Sequence, residues 1–128
     1  MIYLDTSVAL AQLLAEDRSP PARLWNAPLV SSRLLQYELW TRVHARRLTG
    51  SHGDAARDLL ARIAFLELAP QVLSRALEPF PTPVRTLDAL HLASLEFIRS
   101  QGQRVEFATY DERQVEAARA LGIPVFAL

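Results

Sequence analysis

Cysteine and lysine are both absent from this 128-residue sequence, and each absence removes a class of chemistry. Without Cys there are no disulfides, thiolate metal ligands or cysteine nucleophiles, and nothing asks for an oxidising compartment, so the cytoplasm is the expected location. Without Lys there are no Schiff bases, no Gly-Lys-Ser/Thr phosphate loops and no Ser-Lys dyads. All 14 basic residues are therefore Arg. Codon bias is the simpler account of that; selection for planar phosphate-binding forks is the other. Long apolar runs are also missing: nothing approaches the ~18 to 20 residues needed to span a bilayer. The stretch from Met1 to Leu4 ahead of Asp5 carries no basic region of the signal-peptide kind. A soluble, unprocessed protein with no membrane partner is expected.

What is present is a globular composition. Half the residues are apolar and 22% are charged, with 4 Gly and 8 Pro, which argues against disorder or low complexity. One domain over residues 1–128 is expected, with about two thirds of the unfolded surface buried.

Strand-like and helix-like segments alternate along the chain. Ile2, Tyr3 and Leu4 read as a strand ending at Asp5, after which Thr6 and Ser7 offer capping hydroxyls to a helix over residues 8–14. Pro20 and Pro21 can open a short helix through Trp25, and Leu29-Val30-Ser31 reads as a second strand. Apolar residues at helical spacing (Leu35, Leu39, Val43) predict a helix over residues 34–48. A break at residues 50–54 then leads to a helix over 55–64, capped by Ser51 or Asp54. Residues 65–68 read as the third strand, 70–77 as a short helix, and 79–83 as a proline-rich loop. Thr86 is expected to cap a long helix to about Ser100; residues 105–108 give a fourth strand, 111–121 a helix, and 125–127 a last strand. Such alternation predicts an α/β fold. Its central sheet would be mostly parallel, with about five strands, four clear and one C-terminal, flanked by helices.

In open α/β sheets, ligands gather at the carboxyl ends of the strands. Asp5 ends the first strand, and Asp111 lies just past the fourth. Glu38 and Asp88 sit in helical segments among apolar or small neighbours, where a carboxylate is costly to bury unless paired or bound to a cation. Each also has a structural reading: Asp5 and Asp111 as helix caps, Glu38 as a solvated face residue, Asp88 as a helix N-terminal acid favoured by the macrodipole. If they converge, any two at ~4 Å repel by about 4 kcal/mol at an effective dielectric near 20. The natural counterion is then a hard divalent metal; oxygen-only ligation suits Mg²⁺ or Mn²⁺ with a phosphate-bearing substrate.

The segments Met1-Ile2-Tyr3-Leu4-Asp5-Thr6-Ser7, Tyr37-Glu38-Leu39, Leu87-Asp88-Ala89-Leu90-His91-Leu92-Ala93 and Thr109-Tyr110-Asp111 resemble, in order and over the whole chain, the PIN-domain nucleases. The likeness is strongest to the VapC-type ribonuclease toxins of toxin-antitoxin pairs. The resemblance implies an endoribonuclease whose Asp5, Glu38, Asp88 and Asp111 bind one or two Mg²⁺ or Mn²⁺ ions, with Thr6, Ser7 or Thr109 orienting a carboxylate or a metal-bound water. It also implies in-line hydrolysis without a covalent enzyme intermediate, a homodimer, and a cognate antitoxin that covers the site. Tyr110 departs from the family pattern, in which a small or polar residue often stands between the Thr and the Asp. With Glu112 the only further acid nearby, a second metal has weak support.

His91, one helical turn past Asp88, reads first as a packing or hydrogen-bonding histidine, and His44 and His52 as surface residues. Arg42, Arg46 and Arg47 cluster after Glu38. Setting the four site acids aside leaves 14 Arg against 10 acids, a surplus that makes Arg42 and Arg46 candidates for phosphate contact and a solvated helix face the alternative. Trp25, Trp40 and Phe80 are candidates for the core or for a protein interface. A phosphoacceptor receiver domain needs a Lys that is absent, and a haloacid-type phosphatase needs an acid where Ser7 stands. The rival from another class is a catalytically idle PIN-like module that binds protein or RNA without turnover.

Overall fold

Four strands, β1 (Ile2–Leu4), β2 (Leu29–Ser32), β3 (Ile63–Leu66) and β4 (Glu106–Ala108), pair in the order β3-β2-β1-β4, every pair parallel. The computed structural model describes residues 1–128. The helices are α1 (Thr6–Leu14), α2 (Leu34–Ala45), α3 (Thr49–Leu60), α4 (Pro70–Ala76), α5 (Thr86–Ser100) and α6 (Glu112–Ala120), with a 3₁₀ turn at Ala22–Asn26.

Parallel strands buried on both faces read as continuous apolar runs, and β1 is all buried for that reason. Its side chains still alternate. Ile2 and Leu4 join the core formed with α1, α2 and α3, while Tyr3 joins the core formed with α5 and α6. Leu29 and Val30 of β2, and Ala108 and Phe107 of β4, divide between the two layers in the same way. Helix α2 contributes Leu35, Leu39 and Val43 at a four-residue spacing, and α5 contributes Leu92, Leu95 and Ile98. Each fully buried Leu or Phe is worth roughly 1.5–3 kcal/mol relative to exposure.

Several local expectations shift. The turn between α2 and α3 falls at residues 46–48, where Arg47 takes a left-handed φ of 57°, and α3 runs through Gly50 and Gly53 instead of breaking there. The His52 N–H bonds the Leu48 carbonyl at 2.8 Å, and Leu48 packs on the core beside buried Ala56, Leu59 and Leu60. Tertiary anchoring thus outweighs the ~1 kcal/mol that each glycine costs in a helix. Neither Ser51 nor Asp54 caps this helix: the cap position is Leu48. Because α3 ends at Leu60, β3 begins at Ile63, ahead of the expected 65. The cap of α5 is Arg85, in extended conformation, with Thr86 the first helical residue. The C-terminal strand reduces to a single bridge between Phe107 and Val125, where Pro124 has no N–H to extend the ladder. No helix is long and apolar enough to cross a membrane.

Candidate active site

The strand order fixes where a site forms. From β1 the chain passes to β2 and β3 on one side and returns to β4 on the other, so the crevice lies at the carboxyl ends of β1 and β4, where the order reverses. A cleft of about 480 Å³ opens there, and Asp5, Glu38, Asp88 and Asp111 all line it. They come from four separate segments: the end of β1, the middle of α2, the first turn of α5, and the loop after β4.

Asp5 is both cap and cleft residue. It is the N-cap of α1, its Oδ2 accepting the Ser7 N–H at 3.4 Å, the Ser7 hydroxyl at 2.6 Å and the Thr109 hydroxyl at 2.8 Å. All three donors fall on Oδ2, so Oδ1 is free. The cap expected from Thr6 and Ser7 hydroxyls is thus made by Asp5, with Ser7 as a donor to it. Glu38 repeats the pattern: its Oε1 accepts the Thr6 hydroxyl at 2.8 Å and approaches His91 Nε2 at 2.6 Å, leaving Oε2 uncommitted.

Asp111 caps α6, its Oδ1 accepting the Arg113 N–H at 2.9 Å, while its own N–H donates to Thr109 Oγ1 at 3.0 Å. Arg85 spans the remaining acids, with Nε 3.3 Å from Asp88 Oδ2 and Nη2 3.5 Å from Asp111 Oδ2. Its side chain is mostly exposed, so the pairing contributes little to stability; its position is what matters.

His91 is almost fully buried. Its Nδ1 lies 2.8 Å from the Tyr3 hydroxyl, which accepts the Ser32 N–H at 3.1 Å, and its ring meets Tyr3 edge-on at 5.9 Å. Burial works to lower the imidazole pKa, but the Glu38 hydrogen bond and the charges of Asp5, Glu38 and Asp88 outweigh it and raise the value above the ordinary one. Burial also pushes the Tyr3 phenol far above its usual range.

Of the arginines singled out from sequence, Arg42 lines the cleft and Arg46 does not; Arg46 is an exposed residue at the end of α2. Sequence reasoning passed over Arg18 and Arg85, and the acids Glu16 and Asp17, which also border the cleft. Arg18 is already committed, donating to the Tyr110 carbonyl at 2.8 Å and lying over the Tyr110 ring. His44 is exposed and His52 half-buried; Trp25 and Trp40 pack against the α1–α3 core and Phe80 against the other.

The cleft holds six carboxylates against three guanidiniums, an excess of negative charge that calls for a cation. As the side chains stand, no three acidic or imidazole groups converge on a ready-made ligand shell, and Arg85 supplies the positive charge between Asp88 and Asp111. The donor set itself fits a hard divalent ion: every carboxylate is an oxygen donor, and Asp5 Oδ1, Glu38 Oε2 and Asp88 Oδ1 have no protein partner.

A family model described as PIN domain matches residues 2–120. Among curated relatives, Ribonuclease VapC47 of Mycobacterium tuberculosis (strain CDC 1551 / Oshkosh) is 33% identical over 129 residues, which cover 95% of this chain and 93% of that protein. Ribonuclease VapC46 of Mycobacterium tuberculosis (strain ATCC 25618 / H37Rv) is also 33% identical over 129 residues, covering 98% of this chain and 96% of its own. The crystal structure of Mycobacterium tuberculosis VapC20, described as a Sarcin-Ricin loop cleaving toxin, superposes with a TM-score of 0.63 at 21% identity. It covers 91% of this chain and 95% of that one, a likeness of fold.

Proposed function

This chain belongs to the PIN domain family, and on that premise we propose that it is a divalent-metal-dependent endoribonuclease, the toxin of a toxin-antitoxin pair. The observation that carries the reading is the meeting of Asp5, Glu38, Asp88 and Asp111 in one cleft at the switch point of the sheet. Relatives named as ribonucleases, alike over nearly the whole chain, support the same reaction class. The idle binding module has no such support, because all four acids are kept and all line the cleft.

Asp5, Asp88 and Asp111 would hold Mg²⁺ or Mn²⁺, with Glu38 binding directly or through water. The ion, when bound, lowers the pKa of a water for attack on phosphorus and offsets charge in the transition state. The residues of the chain do the rest. Ser7 and Thr109 fix Asp5 through Oδ2, and Thr6 fixes Glu38 through Oε1, so the carboxylates meet the substrate already oriented. Arg42 and Arg85 offer guanidiniums at the rim for the RNA backbone. Hydrolysis is in line, without a covalent enzyme intermediate.

An antitoxin that covers the cleft and a second copy of this chain are the protein partners of this reading. Exposed leucines on α4 (Leu73), at its C-terminal cap (Leu77) and at the start of α5 (Leu87) support a protein contact on that side. The cytoplasm is the compartment the reading implies, since the RNA substrate is there. Incubation of the purified protein with total cellular RNA in Mg²⁺ or Mn²⁺, with and without EDTA, tests it by mapping new 5′ ends. Discrete metal-dependent cuts are expected; RNA left intact, together with no calorimetric Mn²⁺ binding, would overturn it.

A further inference from the structure

We propose that His91 is a positioning residue for Glu38: its Nε2–H donates to Glu38 Oε1 and, with Thr6, turns the carboxylate so that Oε2 alone faces the cleft. The functional consequence rests on the nuclease reading; the direction of the hydrogen bond does not.

The direction follows from counting protons along the chain of contacts. The Ser32 N–H donates to the Tyr3 hydroxyl oxygen at 3.1 Å. The one hydroxyl proton of Tyr3 then points to His91 Nδ1, 2.8 Å away, the hydroxyl's other hydrogen-bond partner and one able to accept. With Nδ1 accepting, the ring proton sits on Nε2, 2.6 Å from Glu38 Oε1. The opposite tautomer would set a bare nitrogen lone pair against a carboxylate oxygen at that distance, which is repulsive. A flipped ring would put carbon atoms against both partners. An imidazolium also carries a proton on Nε2, so the donor toward Glu38 is present in either charge state.

The framework around this bond is rigid. Tyr3 is buried in β1, an inner strand of the sheet, edge-on to both His91 and Phe107, with ring centroids 5.9 and 5.7 Å apart respectively. His91 lies one turn from Asp88 on α5, and Tyr3 two residues from Asp5 on β1, so one relay ties Glu38 to the elements that carry two other acids. Thr6 Oγ1, already a donor to Glu38, lies 3.4 Å from His91 Nε2, which places both donors on the same oxygen.

Nitrogen-detected NMR on the metal-free wild type reads the bond directly, and two variants read its consequence. A protonated, slowly exchanging His91 Nε2 is expected; a bare Nε2 would overturn the assignment. In His91→Gln the side-chain amide still reaches Glu38, whereas in His91→Asn it is too short to do so. The Asn variant should lose about 10- to 100-fold in Mn²⁺ affinity or kcat, the range for outer-shell partners of metal ligands. The Gln variant should stay within a few-fold of wild type at a similar melting temperature. Equal values for Gln and Asn, high or low, would make His91 a packing residue only. Absence of both Mn²⁺ binding and cleavage in the wild type would instead sink the nuclease reading, while the NMR measurement would still decide the His91–Glu38 bond.

Discussion

Thr109 and Asp5 stand 104 positions apart in the chain, and the Thr109 hydroxyl donates to Asp5 Oδ2 at 2.8 Å. The same hydroxyl oxygen accepts the Asp111 N–H at 3.0 Å. A single side chain thus joins the two loops that carry Asp5 and Asp111, across the β1–β4 pairing.

Thr109→Val keeps the shape and removes both bonds. It should lower stability by about 1–3 kcal/mol, because the Asp111 N–H is left without a partner. Cleavage should fall by roughly 10- to 100-fold as Asp5 loses one of its fixed donors. Thr109→Ser restores the hydroxyl and should recover most of both. Urea melts and single-turnover cleavage check this pair; a Val variant with wild-type turnover would remove Thr109 from the site.

Arg85 holds a positive charge between Asp88 and Asp111. Arg85→Ala should therefore strengthen Mn²⁺ binding to the RNA-free protein, by up to about fivefold for an exposed pair, and weaken binding of RNA through a lost phosphate contact. Calorimetry with Mn²⁺ and salt-dependent RNA binding report the two effects separately. Weaker Mn²⁺ binding in the variant would contradict this role.

Two left-handed residues give stability changes of opposite sign. Ala15 ends α1 with φ 48°, a conformation that strains a residue with a side chain, so Ala15→Gly should stabilise the fold by up to about 1 kcal/mol. Gly122, with φ 72°, ends α6. The Ile123 N–H bonds the Ala118 carbonyl and the Gly122 N–H the Arg119 carbonyl, a Schellman closure that suits glycine. Gly122→Ala should cost about 1 kcal/mol. Thermal melts of both variants check the signs.

The parts of the site legible in the sequence were those with a one-dimensional signature. Asp5 follows an apolar strand and Asp111 closes a strand-turn-helix junction. Glu38 and Asp88 are charged residues set among apolar helical neighbours. Cap and cleft roles, which the sequence presents as alternatives for Asp5 and Asp111, coexist because capping uses one carboxylate oxygen and leaves the other. Arg85 was not legible: it sits after a proline-rich loop, and its nearness to Asp111, 26 residues on, exists only once β4 pairs with β1. His91 could be placed on the Asp88 face, but its partners Tyr3 and Glu38 lie 88 and 53 residues away. Gly50 and Gly53 signal a break locally, yet α3 starts at Thr49, because Leu48 anchors the helix through the core.

Cleavage of total cellular RNA by Asp5→Asn and Asp88→Asn, beside wild type in Mn²⁺, is the most direct measurement of the central claim. Asn preserves volume, and at position 5 it also preserves the cap of α1, so both variants should melt near wild type. Loss of every discrete cut in both, with folding intact, is the expected result. Wild-type cleavage in either would contradict the assignment of these carboxylates to the chemistry.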